Sequence, residues 1–217
     1  MNEDIQFQSW GSIARFFRPI LITEKIDGTN AQVHVVPNEW VSEDQMPIIE
    51  RFGIPVDTEY CSGYLLAGSR KRYVNKHDDN YGFANWVSDN ADELTALGYG
   101  RHYGEWWGQK IQRNYGLQER RFSLFNVMRY NLDPSITPKC CHVVPLLYAG
   151  PNHNMAIQTA MAKIEGNSLA APGFDRPEGI VIFHTHGKTL FKVTFEGDKH
   201  KSEVMEEKLK AMQEVIE

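Results

Sequence analysis

Ile20-Leu21-Ile22-Thr23-Glu24-Lys25-Ile26-Asp27-Gly28-Thr29-Asn30-Ala31-Gln32-Val33-His34-Val35-Val36 is the stretch on which the fold turns. Residues 20–26 and 31–36 are apolar and β-branched with polar residues at intervals, which is the composition of strands. Between them Asp27-Gly28-Thr29-Asn30 is turn-forming, so the reading is two strands around a turn. Lys25 stands at the end of the first strand, where a flexible Asp-Gly turn can present its amine to a pocket. A lysine attacks an electrophile only as the free amine, a form favoured by burial or by neighbouring cations.

Outward from this pair, the same signals give further strands at 64–68, 99–107, 121–128, 143–148, 179–184 and 190–195. Val87, Ala91 and Leu94 recur at helical spacing and place a helix after Phe83. A second helix is predicted over 155–164 with Asn154 as its cap, and a third over 202–216 with the stripe Met205, Leu209, Met212 and Ile216. Residues 37–55 are polar, carry further prolines and show no clean period, and read as a loop. Many short strands with few helices predict an α+β domain built on antiparallel sheets. No repeat, linker or shift in composition divides the chain, so 1–217 reads as a single domain.

Hydrophobic residues make up 41% of the chain, enough for a core, which excludes a disordered tail or a coiled coil. The net charge of −5 leaves no chain-wide positive field, so nucleic-acid binding needs a local patch. Arg70, Lys71, Arg72 and Lys76 form one candidate patch; Lys110, Arg113, Arg120 and Arg121 form another. The acidic start lacks the apolar stretch of a signal peptide, and no apolar run is long enough to span a bilayer. Three cysteines, an odd count, suit a reducing compartment. The expectation is a cytoplasmic protein, of a bacterial or a phage-infected cell. Cys140-Cys141-His142 has no spaced second pair of ligands and reads as loop and strand start, not as a zinc site.

Lys25-Ile26-Asp27-Gly28 is weak alone, but four strings follow it. They are Tyr103-Gly104-Glu105-Trp106, Phe122-Ser123-Leu124-Phe125-Asn126-Val127, Glu178-Gly179-Ile180-Val181-Ile182 and Leu190-Phe191-Lys192-Val193. Glu105 lies 80 residues after Lys25, Glu178 another 73 on, and Lys192 a further 14. In content, order and spacing these resemble the nucleophile, third, fourth and fifth motifs, and the aromatic strand after the third, of the covalent nucleotidyltransferase superfamily of polynucleotide ligases and mRNA capping enzymes. Asn30 stands where DNA ligases and capping enzymes usually carry arginine. With the basic segment Gly68-Ser69-Arg70-Lys71-Arg72, it makes the chain similar to the ATP-dependent RNA ligases.

The resemblance implies an antiparallel-sheet nucleotidyltransferase domain, of the ATP-grasp-like ligase type, that ends in a C-terminal helix. The 25 residues after Lys192 are too few for an appended OB barrel. It implies a ligase that uses ATP with Mg²⁺ or Mn²⁺ and seals 5′-phosphate to 3′-hydroxyl ends, of RNA or of a nicked duplex, through lysyl-AMP. The expected setting is nucleic acid repair by a monomer with no membrane partner. Lys25 is then the nucleophile, and Lys192 lies beside the α-phosphate, where its charge also favours the free amine of Lys25. Glu178, and Asp27 through water, hold the metal. Glu24, Asn30, Arg70, Glu105, Phe122 and Lys188 bind the nucleotide. Within that set Glu105 accepts from the ribose hydroxyls, Arg70 clamps phosphate and Phe122 stacks on adenine in preference to Phe125. Those two rings face opposite ways along a strand, so one of them is core. Trp106 and Trp107 read as core. Thr194 departs from the family, standing where the fifth motif has its second lysine; Lys188, Lys199 and Lys201 are candidates for the missing charge. The alternatives are a minimal ATP-dependent DNA nick ligase and a relative that binds nucleic-acid ends without sealing them.

Overall fold

In chain order the elements are β1 (Ile20–Lys25), β2 (Thr29–Pro37), α1 (Met46–Phe52), β3 (Gly53–Asp57), β4 (Ser62–Ser69), β5 (Tyr73–Val74), α2 (Phe83–Asp89), α3 (Ala91–Leu94), β6 (Gly100–Gly108), β7 (Arg120–Leu124), β8 (Cys141–Val143), β9 (Leu146–Gly150), α4 (Asn154–Ile164), β10 (Gly179–His184) and β11 (Thr189–Thr194). The structure, a computed structural model, describes residue 7 and residues 9–197. The helix expected at 202–216 lies outside the described residues, as do Lys199 and Lys201. Among the described residues no helix is long and apolar enough to cross a membrane.

Alternation decides the place of β1. Ile20 and Ile22 are fully buried on one face, while Leu21, Thr23 and Lys25 take the other. The strand lies between β10 and β9, and β10 pairs on with β11, giving a four-stranded antiparallel sheet ordered β11-β10-β1-β9. Helix α4 covers the Ile20 face, with Ala156, Ala160 and Ile164 against Ile20, Ile22, Ile180 and Ile182. Its N-cap is His153, whose Nδ1 accepts from the Ala156 amide at 3.1 Å, one residue before the expected Asn154.

The larger sheet runs β3-β4-β2-β6-β7-β8 with β5 beside β4, and its neighbours are antiparallel except for the parallel pair β7 and β8. Ala31, Val33 and Val35 of β2 point into the main core with Leu65, Trp106, Phe122 and, from α2, Phe83 and Val87. Burial of each large apolar side chain there contributes roughly 1.5–3 kcal/mol. Asn30, Gln32 and His34 alternate with them and face the other way. A separate cluster of Ile26, Trp107, Tyr115, Val144 and Ala171 packs where the two sheets come together. The fold is thus the α+β arrangement of mostly antiparallel sheets expected from the sequence, and among the described residues neither sheet closes into a barrel.

Residues 37–55 are not a plain loop. Met46–Phe52 is helical and Gly53–Asp57 is a strand, because both prolines sit where a missing N–H costs nothing. Pro47 lies in the first turn of α1, and Pro55 is on β3, the edge of the larger sheet. Cys141–Val143 is a short strand, and among the described residues no group of three or more His, Cys, Asp or Glu side chains is placed to hold a metal ion.

Candidate active site

Lys25 ends β1 on the face turned away from α4, and its register partner is Gly179 at the start of β10. Glu178, immediately before that strand, accepts from Lys25 Nζ at 2.6 Å. Gly179 has φ +150°, and a Cβ there would lie 2.1 Å from the Val193 carbonyl oxygen, so only glycine allows β10 to enter the sheet beside β11 at this point. Thr194 is in the same row, paired with Gly179, and puts a hydroxyl where the family pattern expects a cation.

Gly28 brings the turn after Lys25 against β6. A Cβ would stand 2.5 Å from the Trp106 carbonyl oxygen and 2.7 Å from Trp107 Cβ, so the glycine serves close approach. That approach lets the Gly28 amide donate to Glu105 Oε1 at 3.1 Å, while Asn30 Nδ2 donates to Oε2 at 3.1 Å. Glu105 is 8% exposed. Burial lifts its pKa from 4.5 to about 7, with Glu178 adding to the rise and Lys25 and the two donors opposing it. Lys25, Glu178, Glu105 and Asn30 are therefore brought together around one turn.

Asp27 lies on the same turn. Its carboxylate accepts from Arg113 Nε at 3.1 Å, and its amide donates to the Tyr115 hydroxyl at 2.8 Å. Lys192 projects from β11 on the Lys25 face of the sheet, in the row of Val181 and Thr23, and is exposed. Arg70 is exposed directly after β4, whose last residue, Ser69, pairs with Ala31 next to Asn30. A cavity of about 420 Å³ adjoins this cluster; Trp107, Ser123, Leu146, Leu169 and Ala170 are among its lining residues, whereas Lys25, Glu105 and Glu178 are not. Ser123 is the cross-strand partner of Glu105, and Leu146 that of Thr23.

Three sequence-based assignments are corrected. Phe122 does not face the site. It pairs with Trp106, is 0% exposed, and packs against Phe83 and Trp86 with ring centroids at 5.2 and 5.6 Å, on the opposite side of the sheet from Glu105. Phe125, 40% exposed, follows the parity of Ser123, and its amide donates to the Tyr103 carbonyl, so the available ring on the Glu105 side is Phe125.

Glu24 points to the α4 side. Its buried carboxylate accepts from Ser168 Oγ at 2.5 Å and from the amides of Leu169 and Ala170 at 2.9 Å each, so it fastens that loop on the side of the sheet away from Lys25. Burial raises its pKa, and these three donors oppose the rise.

Lys188 sits in the turn between β10 and β11, at the far end of the hairpin from Glu178. The six residues of β10 separate the two by roughly 20 Å. It does not supply the charge missing at Thr194.

The basic patches are also partly spent on the protein itself. Arg72 pairs with Asp78, Nη2 to Oδ1 at 2.8 Å, Arg121 pairs with Glu119, and Arg120 donates to the carbonyls of Gln109 and Tyr81. The sequence reading missed Arg113 and Tyr115 as neighbours of the turn after Lys25. No period or motif marks them, and only the cationic cluster at 110–121 contained one of the two.

The RNA ligase family model matches residues 18–194, most of the chain. No curated protein sequence matches it. Solved structures of Naegleria gruberi RNA ligase share its fold. One point variant with ATP and manganese is 18% identical with a TM-score of 0.54, covering 87% of this chain and 52% of that one. A second, without ligand, is 19% identical with a TM-score of 0.54 and covers 82% and 50%. A third, again with ATP and manganese, is 17% identical with a TM-score of 0.54 and covers 87% and 52%. The chain spans about half the length of these solved structures.

Proposed function

We propose, because this chain belongs to the RNA ligase family, that it is an ATP-dependent RNA ligase whose residues 18–194 form the nucleotidyltransferase unit of the ATP-grasp-like ligase type. The observation that carries the reading is the cluster at the nucleophile turn: Lys25 held by Glu178 at 2.6 Å, beside a buried Glu105 that Gly28 and Asn30 orient.

In the first step Lys25 Nζ attacks the α-phosphorus of ATP. The N–P bond forms, the bond to the bridging β-phosphate oxygen breaks, pyrophosphate leaves, and Nζ gives up its proton. Glu178 lies 2.6 Å from Lys25 Nζ, so attack requires that ion pair to open. Glu105 is placed to accept from ribose hydroxyls, Phe125 to stack on the base, and Lys192 and Arg70 to bind phosphate from β11 and β4. Carboxylates suit a hard cation, and Glu178 and Asp27 would hold Mg²⁺ or Mn²⁺, which supplies neutralisation of phosphate charge. The AMP then passes from Lys25 to a 5′-phosphate end, and a 3′-hydroxyl displaces it to seal the strand. The natural substrate is RNA with such ends, free or across a nick.

The test is incubation with α-labelled ATP and Mn²⁺, followed by nicked duplexes of each sugar combination. Label on Lys25 that survives alkali and is lost in hot acid, as a P–N bond requires, and sealing of nicks with RNA at the 3′-hydroxyl side are expected. Lys25→Ala takes no label, and Lys25→Arg takes none either because a guanidinium stays protonated. Label that persists in Lys25→Ala refutes the nucleophile, and sealing confined to all-DNA nicks refutes the RNA ligase reading.

A further inference from the structure

We infer that Arg113 is a positioning residue for the nucleophile turn, one guanidinium that holds the segments carrying Lys25, Glu178 and Lys192 in a single arrangement; the inference rests on the ligase reading above. Its donors go to three different segments. Nε donates to Asp27 Oδ2 at 3.1 Å, two residues after Lys25. Nη1 donates to the Arg176 carbonyl at 3.3 Å, two residues before Glu178. Nη2 donates to Glu196 Oε1 at 2.7 Å, four residues after Lys192. A planar guanidinium with fixed donors can serve three acceptors at once, whereas an ammonium on a flexible stem does not hold that geometry. The Arg113 side chain is 23% exposed, so its pairs are partly sheltered from salt and water.

The backbone beneath Arg113 supports the same conclusion independently. In the connection between β6 and β7, Lys110, Gln112, Asn114 and Tyr115 take φ of 59°, 43°, 61° and 51°. Left-handed backbone carries a steric cost for any residue with a Cβ, and a cluster of such residues persists only where its surroundings over-determine it. Tyr115 shows what anchors the segment. Its ring packs on Trp107 and Phe174 with centroids at 4.9 and 4.6 Å, and its hydroxyl accepts the Asp27 amide. Asp27 is thus gripped at its amide and at its carboxylate by residues two apart on one strained loop. Thr194 offers no charge in the row of Lys25 and Gly179, and among the described residues an ionic link between the end of β11 and the nucleophile turn runs through Glu196 and Arg113.

Loss of the link leaves every reacting group in the chain but no longer in register, and a misplacement of about 1 Å costs about 10²-fold in rate. The experiment compares Arg113→Ala, Arg113→Lys and Glu196→Gln with the parent chain. It measures lysine adenylylation across ATP concentration, melting temperature, and amide hydrogen exchange at 25–30, 176–180 and 193–196. Arg113→Ala should lower the maximal labelling rate of folded protein by about 10²-fold while the apparent KM for ATP moves little. Exchange should rise in all three segments together. Arg113→Lys should not rescue the rate, and Glu196→Gln should loosen chiefly 193–196. A merely structural arginine would lower the melting temperature and leave the rate per folded molecule unchanged, and that result overturns the inference, as does full rescue by lysine. If the parent chain takes no label, the ligase reading fails on its own. Joint loosening in Arg113→Ala then still supports the three-way tie, and unchanged exchange overturns it.

Discussion

Replacing Glu105 by glutamine should stabilise the fold above neutrality while weakening nucleotide binding. The carboxylate is buried next to Glu178 and its pKa stands at about 7 in place of 4.5, so above neutrality the folded chain holds a desolvated charge that the unfolded chain keeps in water. Between those two values the folded state binds more proton than the unfolded state. Stability from this group is therefore fully present below pH 4.5 and is lost as pH rises to about 7. At about 1.4 kcal/mol per pH unit the difference amounts to about 3 kcal/mol at pH 8. An amide removes the charge but has a single acceptor oxygen, so one of the donors Gly28 N–H and Asn30 Nδ2 loses its partner, at about 1–3 kcal/mol.

The net expectation for Glu105→Gln is a gain of up to about 2 kcal/mol at pH 8, which turns into a loss of about 1–2 kcal/mol at pH 5, where the parent carboxyl is itself protonated and only the lost acceptor counts. Loss of a charged acceptor for the ribose should cost about 1.5–3 kcal/mol in ATP affinity, on the order of 10- to 100-fold. Urea unfolding of both chains at pH 5 and pH 8, with ATP binding followed by calorimetry, measures both effects. A variant less stable than the parent at pH 8 shows that the attraction of Lys25 outweighs burial and refutes the electrostatic reasoning. Unchanged ATP affinity refutes the ribose role.

Glu178→Ala should leave the chain folded, since both partners of the Lys25 pair are part-exposed, yet reduce metal-dependent labelling on the order of 10²-fold; undiminished labelling across a metal titration counts against the assignment. The two phenylalanines of the β7 region should separate cleanly. Phe122→Ala is expected to cost about 3–5 kcal/mol of stability by opening a core cavity. Phe125→Ala should leave stability within about 1 kcal/mol and weaken ATP binding by about 1–3 kcal/mol, as read by denaturant unfolding and calorimetry; normal ATP binding by that variant removes Phe125 from the base site.

Much of the site was legible because strand alternation and motif order are local properties. Lys25, Glu105 and Glu178 each sit at or next to a strand end or a glycine that the sequence displays, and the structure brings them to one turn. Glu24 was assigned to the nucleotide on the resemblance alone, against strand alternation, by which the residue before Lys25 faces the opposite side. Which phenylalanine is core depends on the register of β7 against β6, where Trp106 meets Phe122, and that pairing is long-range. The helix and strand within 37–55 were hidden because proline signals a breaker without saying whether it stands in a first turn or on an edge. Arg113 was invisible for a different reason. Its role comes from loop backbone in left-handed conformations, which no side-chain period encodes.

The pairing of β1 has a consequence for how the chain acquires its site. Every strand of the larger sheet falls within residues 29–143, so that sheet can assemble from neighbours as synthesis proceeds. The strand bearing Lys25 has no such neighbours. Its partners β9 and β10 begin at Leu146 and Gly179, and Lys25 meets Glu178 across 153 residues of chain. Closing so large a loop is entropically costly and slow, which puts formation of the smaller sheet late in folding. Until β10 emerges from the ribosome, one edge of β1 has no partner strand. A nascent or C-terminally shortened chain therefore exposes an unpaired strand edge and carries a lysine without its carboxylate partner.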